Sequence, residues 1–187
     1  MEKKVFKLGF CIGRFQPFHN GHARLIRAGL DIADTVIVGV GSAQESRTKR
    51  NPFSFKEREE MILKEFPSAI VVPINDHDHP SDDFSWGDHL MKILKEVIIM
   101  EGIETIEDYD YPDLIISGTE PIRNFWFEED KYPQTNFLFL NRGTDNISGT
   151  AIREGLLDET DYSSILALPG SADIEFLKRI LKETQND

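Results

Sequence analysis

Apolar positions along this chain keep switching between two rhythms. Val5, Phe6, Leu8, Phe10 and Ile12 read as a buried first strand, and Ala23, Leu25, Ile26, Ala28, Gly29 and Leu30 then fall at helical spacing. The exchange repeats. Val36, Ile37, Val38 and Val40 mark a second strand over Thr35 to Gly41, and Ser54 to Phe66 predicts a helix with Ser54 at its N-cap and Glu57 at the capping-box position. Ala69 to Ile74 reads as a third strand, and Ser85 to Met100 as a helix with Leu90, Ile93, Leu94 and Val97 on one face. Asp113 to Ser117 and Asn136 to Leu140 supply two more strands, around a helix near Glu120 to Glu129. β-Branched runs bounded by helices indicate a parallel sheet covered on both faces. The expectation is a doubly wound, Rossmann-like α/β fold of about five strands in one domain over 1–187. Its helical tail, about 148–187, is broken at Pro169-Gly170 and packs across the ligand cleft.

In such sheets a ligand sits outside the carboxyl ends of the strands, where strand order reverses. The segments at Gly13, Gly41, Asn75 and Ser117 each follow a strand's carboxyl end, so all four can face one cleft. There is no Walker A sequence, and Gly39-Val40-Gly41 lacks the third glycine of a dinucleotide fingerprint because position 44 is Gln. A P-loop kinase and a dehydrogenase are both disfavoured.

Charge narrows the partner. The formal net charge is -12, against the basic surfaces that neutralise DNA or RNA, so no nucleic-acid partner is expected. A small nucleotide responds to the local field instead, and Arg14, Arg47, Lys49, Arg50, Arg123, Arg142 and Arg153 lie in or beside the candidate segments. Lys49 and Arg50 fit a solvated surface equally well. No apolar run reaches the length that spans a bilayer. Lys7 interrupts the N-terminal apolar stretch and Arg14 closes it, so export is not expected. The single cysteine, Cys11, permits no internal disulfide, sits in the first strand as a small apolar residue and suits a reducing, cytoplasmic setting.

The run Gly13-Arg14-Phe15-Gln16-Pro17-Phe18-His19-Asn20-Gly21-His22 carries the chemistry. It puts two imidazoles three residues apart at the passage from strand to helix, where N–H groups and the positive end of the helix dipole stabilise anionic phosphate. Gly13 and Gly21 permit close backbone approach, and Arg14 offers a planar charged fork. A second segment, Ile147-Ser148-Gly149-Thr150-Ala151-Ile152-Arg153, opens a helix with Ser148 as N-cap. Asp76-His77-Asp78-His79 alternates along an extended chain, so its carboxylates and imidazoles point to opposite sides and no dedicated metal site is expected.

The first run resembles the His-x-Gly-His signature of the nucleotidyltransferase superfamily, and in its full length that of the archaeal-type nicotinamide-nucleotide adenylyltransferases. Ser148 to Arg153 is similar to the superfamily's second phosphate motif; Gly41 to Ser46 with Asn51-Pro52-Phe53, and Ser117-Gly118 with Arg123, resemble the same family. The resemblance implies adenylyl transfer from ATP, with Mg²⁺, to nicotinamide mononucleotide. It implies His19, His22, Arg14 and Arg153 as catalytic groups, and Gly13, Phe15, Gly21, Ser117, Gly118, Arg123, Ser148, Gly149 and Thr150 as the ATP site. Ser42, Asp76 and Trp86 would meet the nicotinamide nucleotide, although Trp86 equally suits the core. A sister enzyme acting on FMN, pantetheine-phosphate or glycerol-phosphate, and a non-catalytic nucleotide sensor, are the alternatives. Self-association stays open.

Overall fold

The computed structural model describes residues 3–76, 84–118, 126–128, 130–140, 148–158, 166 and 171–185. Among the described residues there are five strands, β1 (Phe6–Gly13), β2 (Ala33–Val40), β3 (Ile70–Pro73), β4 (Leu114–Ser117) and β5 (Asn136–Phe139), the first four of them separated by helices. These are α1 (Asn20–Ile32), α2 (Phe55–Glu65) and α3 (Phe84–Glu101), followed by α4 (Gly149–Leu157) and α5 (Ser171–Glu183). All strand pairs are parallel and lie in the order β3-β2-β1-β4-β5. The chain therefore winds outward in one direction from β1 to β3 and in the other from β4 to β5. That reversal beside β1 is where a doubly wound sheet opens a crevice.

Neighbouring strand residues face opposite sides, and the core divides accordingly. Cys11, Val38 and Ile116, aligned across β1, β2 and β4, belong to a cluster with Ala23 and Ile26 of α1, Met61 and Ile62 of α2, Ile152 and Leu156 of α4 and Leu177 and Ile180 of α5. Phe10, Ile37 and Ile115, one residue earlier in each strand, face a second cluster built on Trp86, Leu90, Met91, Leu94 and Ile98 of α3. Each fully buried apolar side chain contributes on the order of 1.5–3 kcal/mol. The two clusters clamp the sheet at the register that carries Gly13 opposite Val40.

The expected alternation holds, with corrections at its edges. Val5 is 78% exposed and precedes the sheet; β1 begins at Phe6 because only from there does the backbone pair with β2. Ala33 is at once the C-cap of α1 and the start of β2, so no loop separates them. Ser54 caps α2 as a full capping box with Glu57. Most of the expected helix near Glu120 to Glu129, and the Pro169-Gly170 break, lie outside the described residues. The tail was expected across the cleft. Among the described residues of the tail, the first turn of α4 reaches it, whereas α5 packs on α4 and Phe53, since Leu177, Ile180 and Leu181 continue the first core cluster.

Candidate active site

Between the carboxyl ends of β1, β2 and β4 lies a cleft of about 550 Å³. Its floor is the β1–α1 connection. Phe15 there has φ 52, a left-handed conformation costly for a bulky side chain, and its buried ring lies flat on Gly13 and 4.6 Å from the His22 ring. A Cβ at Gly13 would meet that ring at 3.2 Å, so glycine lets the loop fold onto itself. His19 is the N-cap of α1, and the amides of His22 and Ala23 donate to its carbonyl at 2.8 and 3.0 Å. The two imidazoles stack with centroids 3.7 Å apart and planes 20° from parallel. His19 is buried behind, and His22 is the more exposed of the pair.

Gln16 joins this loop to two others. Its side-chain amide donates to the Phe53 carbonyl and accepts from the Phe53 amide, both at 2.9 Å, while its own carbonyl accepts from Arg153 Nη1 at 2.6 Å. Arg153 Nη2 also donates to Thr150 Oγ1 at 3.2 Å, and Ser148 Oγ accepts from the Ala151 amide at 3.1 Å as the α4 N-cap. A Cβ at Gly149 would come within 2.8 Å of the Gln16 carbonyl oxygen. Glycine there allows the helix start to touch the loop, which carries the Arg153 guanidinium to it.

On the β2–α2 side, Ser42 has φ 48, and its hydroxyl donates to Asp76 Oδ1 at 3.0 Å. Gln44 donates to Asp76 Oδ2 at 2.9 Å and accepts from the Asp76 amide at 3.1 Å. The carboxylate after β3 is thus held from two sides. Behind it the buried Arg58 donates to the carbonyls of Arg14, Gly41 and Ser42.

Cations dominate the cleft despite the acidic whole. Partial burial, then the neighbouring Arg50 charge, holds the Arg14 guanidinium below its ordinary range; burial, then Arg14, does the same to Arg153. Arginines that press on one another across a cleft leave a local field waiting for an anion. The only carboxylate lining it among the described residues is Asp76.

The cleft gathers Gly13, Arg14, Phe15, His19, Gly21 and His22 from the first run, and Ser148, Gly149, Thr150 and Arg153 from the second. Ser42, Asp76, Trp86, Ser117 and Gly118 complete it, and Arg123 lies outside the described residues. Trp86 is 5% exposed in the second core cluster, edge-on to Trp126, and also lines the cleft. Of the neighbouring basic residues, Arg50 joins the site but Arg47 does not, because a double hydrogen bond at 2.6 and 2.7 Å ties it to Glu57. Arg24 and Arg58 escaped the sequence reading, and Gln16 entered it only as a member of the first run, without a role of its own. Arg24, two residues after His22 on α1, could have been found by projecting the helix toward the cleft; Gln16 and Arg58 act through main-chain carbonyls and leave no local signal. Cys11 is core, and burial pushes its thiol up to about 12. Among the described residues no group of three or more His, Cys, Asp or Glu side chains is placed to hold a metal ion, and no helix is long and apolar enough to cross a membrane.

A family model described as cytidylyltransferase-like matches residues 10–155, from β1 through α4. The chain is 32% identical over 162 residues to a nicotinamide-nucleotide adenylyltransferase of Thermoplasma acidophilum, spanning 84% of this chain and 79% of that one. It is 30% identical over 186 residues to one of Methanococcus maripaludis, spanning 95% and 96%. Among solved structures, the bifunctional NMN adenylyltransferase/ADP ribose pyrophosphatase of Francisella tularensis, complexed with AMP and a Mn ion, superposes with a TM-score of 0.73 at 20% identity. That match takes in 97% of this chain but 52% of the other, so the chain spans about half the length of that solved protein. At such identity the superposition speaks for the fold.

Proposed function

The chain belongs to the cytidylyltransferase-like family, among its nicotinamide-nucleotide adenylyltransferases, and on that premise we propose that it transfers the adenylyl group of ATP to nicotinamide mononucleotide, giving NAD and pyrophosphate. The observation that carries this reading is the convergence of both phosphate motifs, His19 to His22 and Ser148 to Arg153, on one cation-rich cleft.

A 5′-phosphate oxygen of the mononucleotide attacks the α-phosphorus of ATP in line. The bond from that phosphorus to the α,β-bridging oxygen breaks, and pyrophosphate leaves with the electron pair. Charge grows on the equatorial and leaving oxygens, so the protein's task is to position the reactants and to hold donors where the charge develops. We assign His22 to the α-phosphate and His19, stacked behind it, to the phosphate chain and to limiting the rotation of His22. Arg14 and Arg153 take the β- and γ-phosphates, with the glycine-lined floor and the start of α4 supplying main-chain donors. Ser117 and Gly118 are assigned to the ribose and adenine of ATP, Arg123 to the ATP site, and Ser42, Asp76 and Trp86 to the nicotinamide nucleotide. A cationic ring against an indole gains roughly 0.5–2 kcal/mol.

ATP enters with a divalent cation, which we take to be Mg²⁺. A cleft rich in guanidinium and imidazole, whose described carboxylate already accepts from Ser42 and Gln44, suits phosphate oxygens, so the cation would ride on the triphosphate and its waters. The buried lone thiol fits a cytoplasmic setting. Purified protein with ATP, Mg²⁺ and nicotinamide mononucleotide should yield NAD and pyrophosphate on chromatography. A clearly higher kcat/KM for FMN, pantetheine-phosphate or glycerol-phosphate would move the assignment to that acceptor, and ATP binding with no turnover of any acceptor would favour the sensor.

A further inference from the structure

Arg58 sits on α2, in the core behind the cleft, 0% exposed. Its guanidinium makes four hydrogen bonds, all to main-chain carbonyls: Nε to Ser54 at 3.1 Å, Nη1 to Arg14 at 3.0 Å and Gly41 at 2.8 Å, and Nη2 to Ser42 at 3.2 Å. The nearest acidic groups are already engaged, Glu57 by Arg47 and Ser54, and Asp76 by Ser42 and Gln44. Burying a guanidinium is costly, and an aliphatic side chain of similar volume would escape that cost only by leaving these four main-chain carbonyls without their donor. What an aliphatic group cannot do is reach acceptors in two loops at once with one rigid plane.

The loops it reaches are the two that face the substrates. Arg14 and Gly41 stand at the ends of the adjacent strands β1 and β2, where the Gly41 amide also donates to the Gly13 carbonyl at 2.9 Å. Both connections hold residues in the left-handed region, Phe15 next to Arg14 and Ser42 itself, conformations that persist only when the surroundings impose them. We propose that Arg58 is a positioning residue of the transfer: through the carbonyls of Arg14, Gly41 and Ser42 it sets the loop carrying a phosphate-binding cation against the loop whose Ser42 hydroxyl orients Asp76. This rests on the adenylyl-transfer reading. Burial lowers the Arg58 guanidinium to about 10, against the raising effect of the Glu57 and Asp76 charges, so it stays protonated at neutral pH.

Arg58→Lys keeps the charge but replaces the planar fork by one nitrogen, which cannot span both loops in the same geometry. In the folded variant, measured well below its melting temperature, kcat for NAD formation should fall ~10-fold or more, the scale of a small misplacement at reacting centres, and the Kd for ATP by calorimetry should rise several-fold. Arg58→Met, which removes charge and donors together, should be at least as impaired. A residue serving stability alone predicts a lower Tm with kcat, both KM values and the ATP Kd within twofold of the unaltered protein; that result overturns the proposal. So does failure of both variants to fold, which would make Arg58 a stability residue. If the unaltered protein binds ATP but forms no NAD, the transfer reading fails, and the ATP Kd of Arg58→Lys still decides whether Arg58 sets the phosphate loop.

Discussion

At the scale of single residues, the stacked pair at the head of α1 differs in depth. Both rings line the cleft, His19 buried and His22 the more exposed, with the His22 ring in contact with those of Phe15 and His19. A donor fixed in this way is already oriented when charge develops, which is worth more in the transition state than in the ground state. His22→Ala should therefore lower kcat by ~10²-fold or more while the KM for ATP moves much less. Circular dichroism must first find the helix content unchanged; a folded variant with near-normal turnover removes His22 from the chemistry.

At the scale of elements, the decisive contact is the start of α4 against the β1–α1 loop. Gly149 occupies the first position of the helix, and Ala is the better helix former, by roughly 1 kcal/mol in a helix interior and less at an end. Propensity alone would make Gly149→Ala stabilising. The geometry predicts the opposite, because the new Cβ would stand 2.8 Å from the Gln16 carbonyl oxygen, a main-chain atom that Gln16's pairing with Phe53 holds in place. The helix start must then retreat and draw Arg153 off that carbonyl. Steady-state kinetics should give a several-fold higher KM for ATP, and calorimetry a loss of ~1–3 kcal/mol, the range for overpacking. A variant as stable as the parent, with unchanged KM, would mean that the contact is dispensable.

At the scale of the whole molecule, the sheet both builds the site and buries a thiol that bears on stability at alkaline pH. Cys11 lies under the first core cluster beside Val38 and Ile116, where burial raises its thiol from 9.0 to about 12. The folded protein keeps that proton while the unfolded chain releases it above pH 9, so the unfolded state binds fewer protons and stability falls as pH climbs from 9 toward 12. One such group gives a slope of about 1.4 kcal/mol per pH unit. Burial also raises the Tyr109 and Tyr132 phenols, which act in the same sense at higher pH; Arg58, lowered by burial, acts in the opposite one. Urea midpoints at pH 8, 9.5 and 10.5 should decline in order, and Cys11→Ala should flatten the first part of that decline. A Cys11→Ala profile parallel to the parent's would show that another group governs the decline.

The sequence by itself determined the alternation of strands and helices and the places where phosphate chemistry could sit. Burial is written into the rhythm of side chains, and the helix starts at His19 and Ser148 are legible locally as places whose free amides suit an anion. The parallel, doubly wound arrangement followed from the same rhythm, because β-branched runs between helices leave few other ways to cover both faces. Which strands are neighbours did not follow. The order β3-β2-β1-β4-β5 is a matter of tertiary pairing, and it is in the folded chain that Arg14 and Arg153 come into one field. Adjacent basic residues show the same limit: Arg47 turns to Glu57 and Arg50 to the cleft, and no periodicity separates them. Gln16, Gln44 and Arg58 were illegible for a related reason. Their partners are chiefly main-chain groups of distant segments, which every residue carries alike, so only the folded chain gives those polar side chains a task.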